Sequence, residues 1–366
     1  MNQKVLILTN YIAGLYSFRK ELIETILGKG VDVTISAPKD SKSIGQQKFQ
    51  EMGCKLIDTQ VQRRGTNPFK DFFLFITYLG IIKKTSPSVV LTYTIKPNVF
   101  GGLACRVLKK KCLSNITGLG TSIQNKGLLS KFTLFLYKIG LKGAKKVFFQ
   151  NEFIKNFMIS NKIVVEKNTT VIPGSGVNTS VHSFENYPEN KKMKFLFIGR
   201  IMKEKGINEL IEAAQIIKTD FPKTEFHIVG EKENDFDDSV FNEMIKNGIF
   251  QYHGRQEDVH PFIKNCHAVV IPSYHEGMCN VLLEAASTGR PVLASTVPGC
   301  METFDDGTTG IGFKVKSTES LVEAIRKLIR ISHEDKKTMG IYGREKMKKE
   351  FDRKIVVNAY LEEIEK

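Results

Sequence analysis

Two glutamates stand eight residues apart in the stretch "HEGMCNVLLEAASTG", His275 to Gly289. Glu276 precedes a glycine, while Glu284 lies among Leu282, Leu283, Ala285 and Ala286, where an unpartnered acid is costly. The apolar run "AVVIPS" (268 to 273) just before reads as a strand. Gly277 then lets the backbone turn, and the amides of Gly277, Met278, Cys279, Asn280 and Val281 form a helix N-terminus, which is an anion site. Glu276 can accept from sugar hydroxyls. Glu284, about one turn into the helix, can take a ribose diol, because a carboxylate offers only acceptors and both hydroxyls donate. The plainer alternative for Glu284 is the polar face of an amphipathic helix.

Two further pieces suit the same ligand. In "GRIMKEKGI", Gly199 closes a strand, and Arg200 and Lys205 flank the start of a helix, so that two cations and helix amides can neutralise a pyrophosphate. A solvated basic turn is the alternative. "TVPGCMETFDDG" repeats the geometry one strand over, with Pro298, Gly299 and then Glu302. Together the three pieces suit a nucleotide diphosphate. The "DFD" at 235 to 237 imitates a metal-binding acid pair but sits in the acidic loop "EKENDFDD", and reads as solvated surface. The six cysteines form no CxxC pair and no His/Cys cluster, so free thiols in or near cores and a reducing compartment are expected, with no metal site.

Strands alternating with helices must position these residues. "KVLILTN" (4 to 10), "VDVTISAP" (31 to 38), "SVVLTYT" (88 to 94) and "KKVFFQN" (145 to 151) alternate with helical patterns, and the cycle restarts at "KFLFIGR" (194 to 200), "EFHIVG" (225 to 230), "AVVIPS" and "PVLAST" (291 to 296). The expectation is α/β: two doubly wound Rossmann-like domains, residues 1–180 and 181–349, divided in the polar stretch 178 to 192 and facing each other across a cleft. Ligands of such sheets bind at the C-terminal strand edges. The final segment, about 350–366, is helical in pattern and can pack on either domain, including back on the first.

The net charge of +15 is one-sided: residues 1–180 hold 27 Lys and Arg against 9 Asp and Glu, whereas residues 181–366 hold 27 against 30. A field of that kind points to an anionic partner, whether nucleic acid, an acidic polymer or a membrane surface. In "NPFKDFFLFITYLGIIKK" and "KGLLSKFTLFLYKIGLKGAKK" aromatic and aliphatic residues interleave with lysines, Lys126, Lys131, Lys138, Lys142, Lys145 and Lys146 in the second. The apolar positions alone fit core helices with a charged rim; taken with the charge, they fit helices lying on an anionic membrane face. No window approaches about 18 uninterrupted apolar residues and no signal-peptide core is evident, so a cytoplasmic protein peripheral on the inner face of the plasma membrane is expected.

The order "GR…KEKG", "HEGMCNVLLEA", "PGCME" resembles family 4 of the retaining, GT-B-fold glycosyltransferases, whose pair of glutamates eight residues apart is matched by Glu276 and Glu284. "YSFRKEL", "RRGTNPFKD", "TIKPNVFGGLA", "ITGLGTS" and "IPGSGVNT" resemble a branch of that family acting on lipid-linked glycans in capsule, O-antigen and protein-glycan assembly. The resemblance implies that Arg200 and Lys205, beside Gly199, hold the donor diphosphate, that Glu276 lies against the donor sugar, that Glu284 binds the ribose, and that the amides after Glu276 support phosphate and sugar. It implies transfer with retention, without metal or other cofactor. The substrates would be a nucleotide sugar, a UDP-hexose or UDP-N-acetylhexosamine, and a polyprenyl-pyrophosphate-linked glycan. Glu276, Arg200 and Lys205 are the candidate catalytic groups. Arg19, Arg63, Arg64 and Lys96 are candidates for the acceptor's phosphates, and Gly118 and Gly120 for the acceptor edge. Two departures stand out: no histidine precedes His182, where many members have one, and the usual paired glycines of the first loop are reduced to Gly14. A UDP-sugar 2-epimerase of the same architecture needs histidine and acids in its first domain. A non-catalytic polyanion binder would leave Glu276, Glu284 and Arg200 idle, and no nucleic-acid-binding motif is present.

Overall fold

The central strands are short and buried on both faces, as a parallel sheet covered by helices requires. The computed structural model describes residues 3–40, 44–61, 67–118, 127–189, 192–233 and 239–366. The chain divides into two units, Met1–Ser175 with Lys354–Lys366, and Gly176–Arg353.

In the first unit, β1 (Lys4–Leu8), β2 (Asp32–Ala37), β3 (Lys55–Asp58), β4 (Val89–Tyr93), β5 (Lys111–Ile116), β6 (Lys146–Phe149) and β7 (Thr169–Val171) form a sheet in the order β3-β2-β1-β4-β5-β6-β7. Every pairing is parallel. Val5, Ile7, Val89, Leu91, Leu113 and Phe148 pack with Ile12 and Leu15 of helix Ile12–Gly28 and with Val356, Val357 and Tyr360 of helix Arg353–Glu365. Tyr360 anchors that last helix: its ring lies 4.3 Å from that of Phe148, and its hydroxyl accepts from Asn115 Nδ2 at 2.6 Å. Leu6, Leu8, Val90 and Cys112, on the other face, pack against Leu74 and Tyr78 of helix Pro68–Thr85. Ile116, Val147 and Phe149 on that same face pack against Tyr137 and Leu141 of helix Leu128–Leu141.

In the second unit, β8 (Lys194–Ile198), β9 (Glu225–Val229), β10 (Phe250–Tyr252), β11 (Ala268–Ile271), β12 (Val292–Ser295) and β13 (Gly310–Phe313) run parallel in the order β10-β9-β8-β11-β12-β13. The unit begins slightly before the expected boundary at 180. Val177 donates to Phe351 O at 2.8 Å and accepts from Arg353 N at 3.0 Å, tying the chain to this unit from 176 onward. Arg344 holds the following segment down, donating to Thr179 O at 2.9 Å and His182 O at 2.8 Å. All six cysteines are free and buried.

Candidate active site

The order of the second sheet reverses between β8 and β11, so the loops leaving these adjacent strands turn to opposite sides at the C-terminal edge, the place where sheets of this kind bind ligands. Three candidate pieces follow β8, β11 and β12. After β8, the turn Lys203–Lys205 ends at Gly206, whose φ of +71° only glycine adopts freely and whose missing Cβ would fall 2.1 Å from Pro272 O. Tyr274 N donates to Glu204 O at 2.9 Å across the same contact. The turn therefore sits against the segment leaving β11, and Lys205 Nζ meets Glu276 Oε1 at 2.5 Å. Burial works against the lysine's charge, but the Glu276 carboxylate outweighs it and holds the ammonium above its ordinary pKa. Arg200 is exposed and pairs instead with Glu233, Nη1 to Oε1 at 2.5 Å.

After β11, helix Asn280–Ser287 begins without a side-chain cap, because Cys279 stands at the N-cap. Of the five amides expected to face a ligand, that of Cys279 is already committed to Gly299 O at 2.8 Å. The side chains of Met278 and Cys279 are buried, Met278 against Val177, Leu283, Met347 and Phe351, so any contact they make with a ligand is through backbone. Glu284 lies one turn in, half-buried, with His182 Nε2 4.0 Å from its Oε1. Burial pushes its carboxyl up to about 7, against the pull of the Arg353 charge. Glu302 does not repeat the geometry of Glu276: its Oε2 accepts from Gly299 N at 2.7 Å, turning the carboxylate back on its own loop.

The first-unit candidates are less uniform. Gly14 lies inside helix Ile12–Gly28 rather than in a loop before it, and a Cβ there would fall 2.5 Å from the Tyr11 ring. Arg19 is buried, with its guanidinium 5.5 Å from the Tyr93 ring centre and 5.6 Å from that of Tyr360, and Nη1 donating to Phe18 O. It is a core residue and not an open phosphate ligand. Lys96 is paired with Asp71 at 2.6 Å. Gly118 follows β5. Arg63, Arg64, Gly120, Lys126 and the "DFD" of 235–237 lie outside the described residues. Among the described residues no three His, Cys, Asp or Glu side chains converge as a metal site would require.

Four participants lay beyond sequence reasoning: Glu233, His182, Arg353 and Tyr274, whose hydroxyl donates to Glu209 at 2.7 Å. His182 precedes Glu284 by about a hundred residues, and no motif links them.

The family of glycosyl transferases group 1 matches residues 179–346, the span that holds this site, and a glycosyl transferase 4-like family matches residues 4–151. The chain is 28% identical over 334 residues to the N,N'-diacetylbacillosaminyl-diphospho-undecaprenol alpha-1,3-N-acetylgalactosaminyltransferase of Campylobacter jejuni, covering 87% of each chain. It is 26% identical to the capsular polysaccharide biosynthesis glycosyltransferase CapM of Staphylococcus aureus, covering 100% of this chain and 99% of that one. Its fold is similar to that of HepE from Anabaena, solved with UDP and glucose, at a TM-score of 0.80, 15% identity and 99% coverage of both chains. Two doubly wound parallel sheets, the paired glutamates after β11 and family matches spanning most of the sequence agree: the chain is a glycosyltransferase of the GT-B fold, whose residues 179–346 match the glycosyl transferases of group 1.

Proposed function

We propose that this enzyme moves a hexose or N-acetylhexosamine, with retention of configuration, from a UDP-sugar to a glycan carried on a polyprenyl diphosphate at an anionic membrane face. The observation that carries the donor half is the Lys205–Glu276 pair beside the uncapped N-terminus of helix Asn280–Ser287, at the switch point of the second sheet. The amides of Asn280 and Val281, Lys205 and Arg200 meet the diphosphate, Glu276 meets the sugar, and Glu284 accepts from the ribose. Lys205 and the amides supply in fixed form, and Arg200 on leaving Glu233 adds, the positive charge a leaving diphosphate needs, so the reaction proceeds without a metal. UDP is favoured by HepE, whose structure holds it, and the lipid-linked acceptor by the Campylobacter relative's named substrate.

The membrane half rests on two helices that pack on one face of the first sheet. Helix Pro68–Thr85 buries Leu74, Tyr78, Ile81 and Ile82 yet leaves Phe69 (79% exposed), Phe72, Phe73 and Ile76 open. Helix Leu128–Leu141 does the same with Leu128 (86% exposed), Leu129, Phe132 and Phe135. Exposed Lys70, Lys83, Lys84, Lys131, Lys138 and Lys142 border these apolar rows, the arrangement of an interfacial helix on anionic lipid. No helix among the described residues is long and apolar enough to cross a membrane.

The test is a transfer assay with UDP- and GDP-sugars and a polyprenyl-diphosphate-linked saccharide, run with and without EDTA, with the new anomeric linkage read by NMR. Transfer from a UDP-sugar with retained configuration and no loss in EDTA is expected. An epimerised donor formed without acceptor, or an inverted product, would overturn the proposal.

A further inference from the structure

Glu302 is a conspicuous acid at the candidate site that the proposed donor contacts leave unused. Its surroundings differ from those of a ligand-binding carboxylate. The loop after β12 passes through Pro298 to Gly299, whose φ of +85° is left-handed, and then makes the short turn Met301–Thr303. Glu302 Oε2 accepts from Gly299 N at 2.7 Å, a charge-assisted bond across three residues that fixes the peptide entering Gly299. The carbonyl leaving Gly299 is aimed away from this loop and accepts from Cys279 N at 2.8 Å. The Cα of Gly299 also backs directly on the segment after β11: a Cβ there would fall 2.6 Å from Glu276 O and 2.8 Å from Gly277 O.

Cys279 is the residue at the head of helix Asn280–Ser287, and it caps that helix with no side-chain bond. A serine, threonine or aspartate at that place would bond the helix's own first amides and occupy them. Here the head of the helix is instead held from outside, through the Cys279 amide, so the amide of Val281 is not spent on a side-chain cap. Holding the helix this way requires a fixed carbonyl, and the Glu302 bond restrains the peptide on the other side of the Gly299 Cα.

We infer that Glu302 is a positioning residue for donor binding, acting through Gly299 on the backbone that carries Glu276 and the amides at the head of helix Asn280–Ser287, without itself touching the donor. The inference rests on the reading that the donor diphosphate sits at that helix end. A carboxylate ligand and a positioning carboxylate respond differently to replacement by glutamine, whose carbonyl oxygen still accepts one N–H bond but cannot accept a sugar or ribose diol with two equivalent oxygens.

The test uses the full-length protein with Glu302→Ala and Glu302→Gln. Hydrogen exchange of the Cys279 amide, measured on the free enzyme, reports the positioning chain with no donor present. Kinetics with the transferred nucleotide sugar report its consequence. Glu302→Ala is expected to speed exchange at Cys279 at least tenfold and to raise the donor KM about tenfold, with the acceptor KM unchanged. Glu302→Gln is expected to restore both to within about threefold of wild type. Unchanged exchange in Glu302→Ala would overturn the inference, as would Glu302→Gln binding donor as poorly as Glu302→Ala while keeping wild-type exchange, since that pattern belongs to a direct ligand. Wild-type enzyme that neither binds nor transfers from any nucleotide sugar would overturn the donor reading alone, and the exchange result would still decide whether Glu302 holds the loop.

Discussion

Lys205 and Glu276 form a contact that neither residue's own motif specifies, and the contact carries an electrostatic consequence. Both side chains are mostly buried, at 22% and 15% exposure, so removing one leaves the other as an uncompensated charge in a poorly solvated place. Lys205→Met is therefore expected to abolish the thermal stabilisation by UDP and to cut transfer by about 10²-fold or more, the loss typical of removing one fixed donor from a developing oxyanion. Differential scanning fluorimetry and initial rates would check it; a wild-type UDP shift in the variant would remove Lys205 from the donor site. Glu284 makes a second, pH-dependent claim. Burial raises its carboxyl to about 7 in the folded protein, from 4.5 when free, so the fold is most favoured with the acid protonated. Stability falls as pH rises from about 4.5 through 7, by roughly 3 kcal/mol in all, because the unfolded chain ionises first. Accepting from both ribose hydroxyls needs the ionised form, so UDP affinity should rise between pH 6 and pH 8 even as the free protein loses stability. Glu284→Gln should flatten both profiles, and urea melts with calorimetry across that range would show whether it does.

The elements that hold these residues were unevenly legible in the sequence. Runs such as "VLIL" at 5–8 and "AVVI" at 268–271 are apolar throughout because both faces are covered, and they announce central parallel strands. β3, β7, β10 and β13 are three or four residues each and lie at or near sheet edges, too short to show a period. β5 is central but reads "KCLSNI"; its buried Ser114 hydroxyl accepts from Thr92, its buried Asn115 donates to the Tyr360 hydroxyl and accepts at its backbone carbonyl from Asn98, and such partners exist only once the sheet is assembled. The same holds for the site. The placement of Glu276, Glu284 and Lys205 at strand ends was readable from their spacing, whereas the surroundings of Glu302 and Arg19 were not, since a carboxylate folded onto its own loop and a guanidinium buried between rings look in sequence like exposed ligands. Gly206 tests the element-level geometry. Gly206→Ala places a side chain in the left-handed region and against Pro272 O, so it should destabilise the protein by more than about 1 kcal/mol in urea melts and raise the donor KM by separating Lys205 from Glu276. A fully stable, fully active Gly206→Ala would show that the two loops need no close approach.

At the scale of the whole molecule, the excess positive charge and the two helical rows of exposed aromatic and aliphatic side chains fall in the same half of the sequence. The excess of Lys and Arg over Asp and Glu lies entirely within residues 1–180, and the exposed Phe69, Phe72, Phe73, Phe132 and Phe135 all fall there too. The two features act over different ranges, which makes them separable. Attraction of the lysines to anionic lipid decays within a Debye length, about 10 Å at 0.1 M salt and 3 Å at 1 M, whereas insertion of phenylalanine rings is non-directional burial that salt does not screen. Co-sedimentation with vesicles of phosphatidylglycerol and phosphatidylcholine should therefore show strong binding at 0.1 M salt that weakens, without vanishing, at 1 M. Neutral vesicles should retain only the residual part. Phe69→Ser with Phe72→Ser and Phe73→Ser should weaken the salt-resistant part, leaving what Leu128, Leu129, Phe132 and Phe135 supply, and keep the salt-sensitive part, because none of the three rings is in the buried core and the fold has no need of them. The same triple variant should keep its rate on a soluble short-chain acceptor and lose rate on a long-chain acceptor embedded in vesicles, since a membrane-held substrate must be met at the surface where it resides. Equal loss on both acceptors would place the aromatic row in acceptor binding itself instead of in membrane docking.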